Sequence, residues 1–143
     1  MGNRIVNGEV VAWTAEEEAA FEEAREVTLP QAKRAARERI RVLRDMAERS
    51  FPYAGVWYDA SAAGRIAVLA NRARISADGF PVRVVALDES ETNLSRTEYQ
   101  AFEAALGTHL QACSAHANTL RQQVNAATTV AAVLAIDLEA GAP

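Results

Sequence analysis

The chain has 143 residues, enough for one domain with a modest core. Half are hydrophobic, yet 31 are alanine and only nine aromatic, which fits a soluble, helix-rich chain that buries little apolar area per residue. A single cysteine excludes an internal disulfide framework, a formal net charge of −4 argues against nucleic acid as the main partner, and no apolar run approaches the roughly 18 residues of a membrane span.

Charge divides the chain into three segments: residues 1–28 are strongly acidic, 29–50 basic, and 51–143 mildly acidic. The opening lacks the layout of a secretory signal, and Val6 stands where a myristoylation motif needs Ser or Thr. Ile5-Val6 and Val10-Val11 flank Asn7-Gly8, the dipeptide best suited to a type I′ turn, and predict a small hairpin. Thr14 to Glu17 is a capping-box pattern opening a glutamate-rich helix over about 15–26, with a thin apolar stripe of Ala20, Phe21 and Ala24. Thr28 and Pro30 open a second helix, about 30–49. Ala36, Ile40, Leu43 and Ala47 form one of its faces, and Arg34, Arg37, Arg41 and Arg44 another. Phe51-Pro52 ends it.

Gly55 to Tyr58 reads as a short strand, and Asp59 to Ser61 as a cap for a helix over about 62–75 whose apolar face is Ile66, Leu69, Ala70 and Ala73, stopping near Asp78-Gly79. Val82 to Leu87 is the strongest strand signal, and 91–94 a short return. Ser95 to Glu98 is a clean capping box, with Leu94 and Tyr99 in staple positions. The helix it opens extends to about Ala126. Tyr99, Phe102, Leu106, Leu110, Cys113, Ala117, Leu120 and Val124 make an unbroken stripe along it, buried in the fold or against a partner helix. Thr128-Thr129 begins a last short helix with Val130, Val133 and Leu134.

His109, Cys113 and His116 lie within about a 60° arc of the long helix, a candidate for a transition-metal site. The two histidines stand about 10 Å apart along the axis, against metal bonds of about 2.0–2.3 Å, so one helix does not readily supply all three ligands. The competing reading is a buried thiol on the core stripe with two histidines at its edge, and no cofactor. The arginine row could face phosphates, but it lacks interleaved aromatics. A solvated face, or one paired with the glutamate-rich helix, competes with a small DNA-binding regulator. No phosphate-cradling glycine loop or nucleophile elbow occurs, and Cys113 beside His116 lies on a stripe that reads as buried, whereas a reactive thiolate wants exposure, so an enzyme is not expected.

From position 51 onward the sequence resembles an uncharacterised phage and prophage family, a domain of unknown function encoded near tail-fibre and tail-tip genes. The resemblance lies in Phe51 to Asp59, Arg65-Ile66, Phe80 to Val82, Leu106 to Leu120, Ala126 to Val130 and Leu134 to Asp137. It implies a non-enzymatic virion component, a tail-tip or tail-fibre adaptor made in the host bacterial cytoplasm. The alternative is a tail-fibre assembly chaperone absent from the mature particle. The fold expected is helix-rich α+β: short antiparallel strands at 55–58, 82–87 and 91–94 packed on helices near 62–75 and 96–126, with an N-terminal hairpin and helical arm. Phe51, Trp57, Tyr58, Phe80, Tyr99 and Phe102 are the expected core aromatics. Arg34, Arg37, Arg41, Arg44, Leu106, Leu110 and Leu120 are the expected contacts to phage tail or fibre proteins or to further copies in a homo-oligomer.

Overall fold

A computed structural model describes residues 3–6, 9–75 and 79–141. Strands β1 (Asn3–Val6) and β2 (Glu9–Ala12) pair antiparallel, with Val6 opposite Glu9. Asn7 and Gly8, the expected turn, lie outside the described residues. Helix α1 (Ala15–Arg25) starts at the Thr14 box: the Thr14 amide donates to Glu17 Oε2 at 2.9 Å, and the Glu17 amide to the Thr14 hydroxyl at 3.2 Å. Ala20 of its expected stripe is exposed; the side chains of Phe21 and Ala24 lie outside the described residues. Helix α2 (Leu29–Ala47) opens on a second box, Thr28 with Gln31, and carries Pro30 in its first turn.

The spine of the molecule is α4 (Arg96–Ala126), 31 residues long and opened by the Ser95–Glu98 box. Its buried stripe serves two cores. Toward its N-terminal end Tyr99, Phe102 and Leu106 pack with Phe51, Tyr58, Val82, Val84 and Leu94. Toward its C-terminal end Ala117, Leu120 and Val124 pack with Ile40 of α2, and Ala36, Ile136 and Leu138 close the edge. Ile40 is only 1% exposed, so α2 belongs to the body of the fold rather than to an arm. Lys33 Nζ donates to the Asn125 carbonyl at 2.8 Å, putting a cation on the carbonyl-rich end of α4. The last helix, α5 (Val130–Leu134), is capped by Thr129 and buries Val133.

Two further hairpins cover the first core. β3 (Ser50–Tyr53) and β4 (Val56–Asp59) pair through a two-residue turn, Ala54-Gly55, with φ of 50° and 81°. β5 (Val82–Val85) and β6 (Glu91–Leu94) form the other. Strand β3 is not among the strands expected from sequence. Pro52 argues against a strand, but here it sits opposite Trp57, a non-hydrogen-bonded position beside the closing Tyr53–Val56 pair, where the ladder needs no donor. Helix α3 (Ala62–Ile75) follows β4. Its Gly64 is required: a Cβ there would collide with the Asp59 carbonyl. The expected stop at Asp78 lies outside the described residues. The sum is a helix-rich α+β fold with short antiparallel strands on long helices, as expected.

Two expectations about burial are corrected. Trp57 is not a core residue but 49% exposed, because the inward places on β3 and β4 go to Phe51 and Tyr58 and strand alternation sends Trp57 outward. On α3, Ile66, Leu69, Ala70 and Ala73 are all exposed; the helix presents Gly64, Arg65, Val68 and Asn71 inward instead. Among the described residues no helix is long and apolar enough to cross a membrane.

Candidate functional site

The arginine row of α2 is largely spent within the chain. Arg41 holds Glu38 at 2.6 Å and Asp45 at 3.1 Å, and Arg44 holds Asp45 at 2.7 Å. Hydrogen bonds from Arg41 and Arg44 respectively hold the Glu38 and Asp45 carboxyls below the usual carboxylate range. Arg37 donates to Asn125 Oδ1 at 2.6 Å, fastening α2 to α4. Arg34 lies on the exposed side of the same helix, in a shallow depression with Lys33, Arg37 and Arg121. The row is therefore a partly neutralised seam and not a continuous cationic stripe.

Leu106 and Leu120, expected at a partner seam, are buried by the chain's own hairpins and by α2. Leu110 is half-buried against the first core, and its place on the fully buried stripe is taken by His109. His109 Nε2 lies 3.0 Å from the Ala47 carbonyl, which only accepts, so this nitrogen carries the proton. Cys113 Sγ lies 3.5 Å from the same nitrogen, and burial pushes its thiol pKa up, away from a reactive thiolate. His116 turns toward a cavity of about 340 Å³ between α2 and α4, where its buried Nε2 has no hydrogen-bond partner among the described residues. Ile40, Leu43, Cys113 and Leu120 line that cavity, and the Arg39–Glu139 pair stands at its edge. The three residues thus face different tasks. Among the described residues no group of three or more His, Cys, Asp or Glu is placed to hold a metal ion.

Arg65, noted in sequence only as part of the family resemblance, is a structural tie. Its Nε donates to the Ala60 carbonyl at 2.7 Å, and its Nη2 reaches both the Glu48 carbonyl at 3.1 Å and the Glu48 carboxylate at 3.3 Å. It locks the end of α2 to the start of α3.

Trp57, expected in the core, belongs instead to an exposed apolar surface. Trp57 lies opposite Pro52 in the β3–β4 register, and the Leu87 amide donates to the Trp57 carbonyl at 2.9 Å, so Leu87 (57% exposed) adjoins it. Val85, two residues back along the same outward side, is half exposed. Four apolar residues from two hairpins thus form one outer face, with Asp59 and the Arg83–Glu91 pair at 3.1 Å among its exposed polar neighbours. Single exposed apolar residues are ordinary, whereas a contiguous set marks a contact surface. The signal available in sequence was the alternation of Phe51 and Tyr58 against Pro52 and Trp57, legible only once β3 is recognised.

This combination defines a class: a small helix-rich α+β domain built on one long capped helix, with an apolar outer face on paired hairpins. The chain belongs to the family described as Domain of unknown function (DUF4376), which matches residues 31–140 and so takes in most of α2 and everything from β3 through α5. No curated protein and no solved structure matches it.

Proposed function

We propose that this protein is a non-enzymatic accessory protein of a tailed phage or prophage, an adaptor at the tail tip or fibre base. It docks on a tail or fibre protein through the outer face formed by Pro52, Trp57, Val85 and Leu87. The observation that carries the docking role is the exposure of Trp57 and Leu87 side by side on two hairpins joined by a backbone hydrogen bond. Aromatic anchors of this kind dominate binding energy at protein interfaces, and their two χ angles cost little entropy to fix. The tail setting is supported by the resemblance of residues 51–137, which includes the Phe51 to Asp59 hairpin that carries half of this face. The non-enzymatic part of the reading is supported by His109, whose imidazole is bonded to the Ala47 carbonyl, and by Cys113, whose thiol is buried.

Quantitative mass spectrometry of purified particles from the strain encoding the protein tests the reading. Presence at a fixed ratio to a known tail protein is the expected result. Abundance in the lysate with reproducible absence from particles would make the protein a fibre assembly chaperone. Absence from both would remove the tail assignment.

A further inference from the structure

α3 and α4 run side by side without closing on each other, leaving a groove of about 470 Å³ whose walls include Leu69 and Arg72 on one side and Glu103, Ala104 and Gly107 on the other. Three observations bear on what fills it. Beside the groove stands an apolar ridge, with Ile66 66% and Leu69 61% exposed, although the spacing of these residues is that of a buried helix face. Gly107 sits deep inside a 31-residue helix, where glycine is the least favourable residue after proline, yet a Cβ there would meet nothing within 4 Å. Gly64 is explained by the chain's own backbone; Gly107 is not. Finally, Arg72 and Glu103 both border the groove, and neither forms an ion pair among the described residues.

We infer that the ridge and groove together are the interface of an isologous homodimer, each occupied by a second copy of this chain. A ridge beside a groove, with one positive and one negative group across it, is complementary to itself under a two-fold rotation. An axis running along the groove sets α3 of each copy upon α4 of the other. Leu69 then lies over Ala104 and Gly107, where the missing side chain lets the backbones approach, and Arg72 faces Glu103 of the second copy, twice. The dimer stands independently of the tail assignment, since it is read on the purified chain and incorporation is read on the particle.

Light scattering coupled to size exclusion, run on the full chain across the micromolar range, tests it. The wild type should be a dimer. Gly107→Leu should be a monomer with unchanged far-UV circular dichroism, because the new side chain fills open space in the monomer and blocks the second copy. Arg72→Glu and Glu103→Arg should each weaken dimerisation by on the order of tenfold, since each places like charges face to face. An equimolar mixture of those two variants should dimerise again, because every pair is then opposite in sign. A monomeric wild type would overturn the inference. So would a dimer indifferent to these substitutions, or single variants that mixing fails to rescue. Loss of folding in Gly107→Leu would leave the charge-swap pair to decide.

Discussion

Replacing Phe102 with alanine probes the core that presents the hairpins. Phe102 is 3% exposed and is the hub of the aromatic cluster: its ring meets those of Phe51, Tyr53 and Tyr58 edge-on at 5.0, 5.3 and 4.9 Å, and that of Tyr99 at 5.8 Å. Burial of a phenylalanine side chain contributes about 1.5–3 kcal/mol. Each well-oriented aromatic pair adds roughly 0.5–1.5 kcal/mol. Truncation leaves a cavity that four rigid rings cannot readily collapse into, so the loss should lie near the top of the roughly 3–5 kcal/mol range for such changes. Against a total of about 5–15 kcal/mol, that is a large share of the stability. At about 2–4 °C per kcal/mol for a chain of this size, Tm should fall by roughly 10–15 °C. Urea unfolding followed by circular dichroism measures the difference directly. Trp57→Ala, an aromatic of greater bulk on the outer face, should cost under about 1 kcal/mol in the same assay. A loss below about 1 kcal/mol for Phe102→Ala, or equal losses for the two variants, would refute the placement of the core.

Arg65→Ala should lower stability by about 2 kcal/mol in urea titration, because it strips charge-assisted bonds from the Ala60 and Glu48 carbonyls and leaves the half-buried Glu48 carboxylate without Arg65. Ser95→Ala removes the N-cap of α4 and should cost about 1 kcal/mol. The same hydroxyl, hydrogen-bonded to Glu98, holds that carboxyl below the usual range, so its stabilisation is present above about pH 4.5 and lost as pH falls further. The acid limb of a stability profile should accordingly be shallower in Ser95→Ala than in wild type. Burial pushes the Tyr99 phenol, which donates to the Val68 carbonyl at 2.9 Å, up to about 12. That raised value stabilises the fold fully below about pH 10 and is lost between there and pH 12, so ultraviolet tyrosinate titration should show one late-ionising residue that Tyr99→Phe removes.

The long helix was legible because two independent local signals agreed: the Ser95–Glu98 box fixed its start, and a stripe stepping by three and four ran through it. The stripe admits both His109 and Leu110 as neighbours on the helix; only the Ala47 carbonyl, brought by α2, decides that the histidine turns in. Periodicity misled on α3 for a related reason. Ile66, Leu69, Ala70 and Ala73 define a face, but spacing says nothing about whether the rest of the chain reaches it, and here Arg65 and Val68 take the inner side. Strand β3 was hidden by Pro52 and by a turn made from Ala54-Gly55 instead of Asn-Gly. Missing it reversed the place of Trp57, since strand parity is set by the partner strand and not by the bulk of the side chain. The candidate face was therefore the least legible part, being assembled from residues whose type suggests burial.

The most direct test of the docking role is the double substitution Trp57→Glu with Leu87→Glu, carried in the strain that produces the particles. Both positions are outward and about half exposed, so far-UV circular dichroism of the purified variant should match wild type. The expected result is a folded variant, present in the lysate at wild-type level and lost from purified particles by quantitative mass spectrometry. Retention of the folded variant at the wild-type ratio would contradict the assignment of this face as the surface that meets the tail.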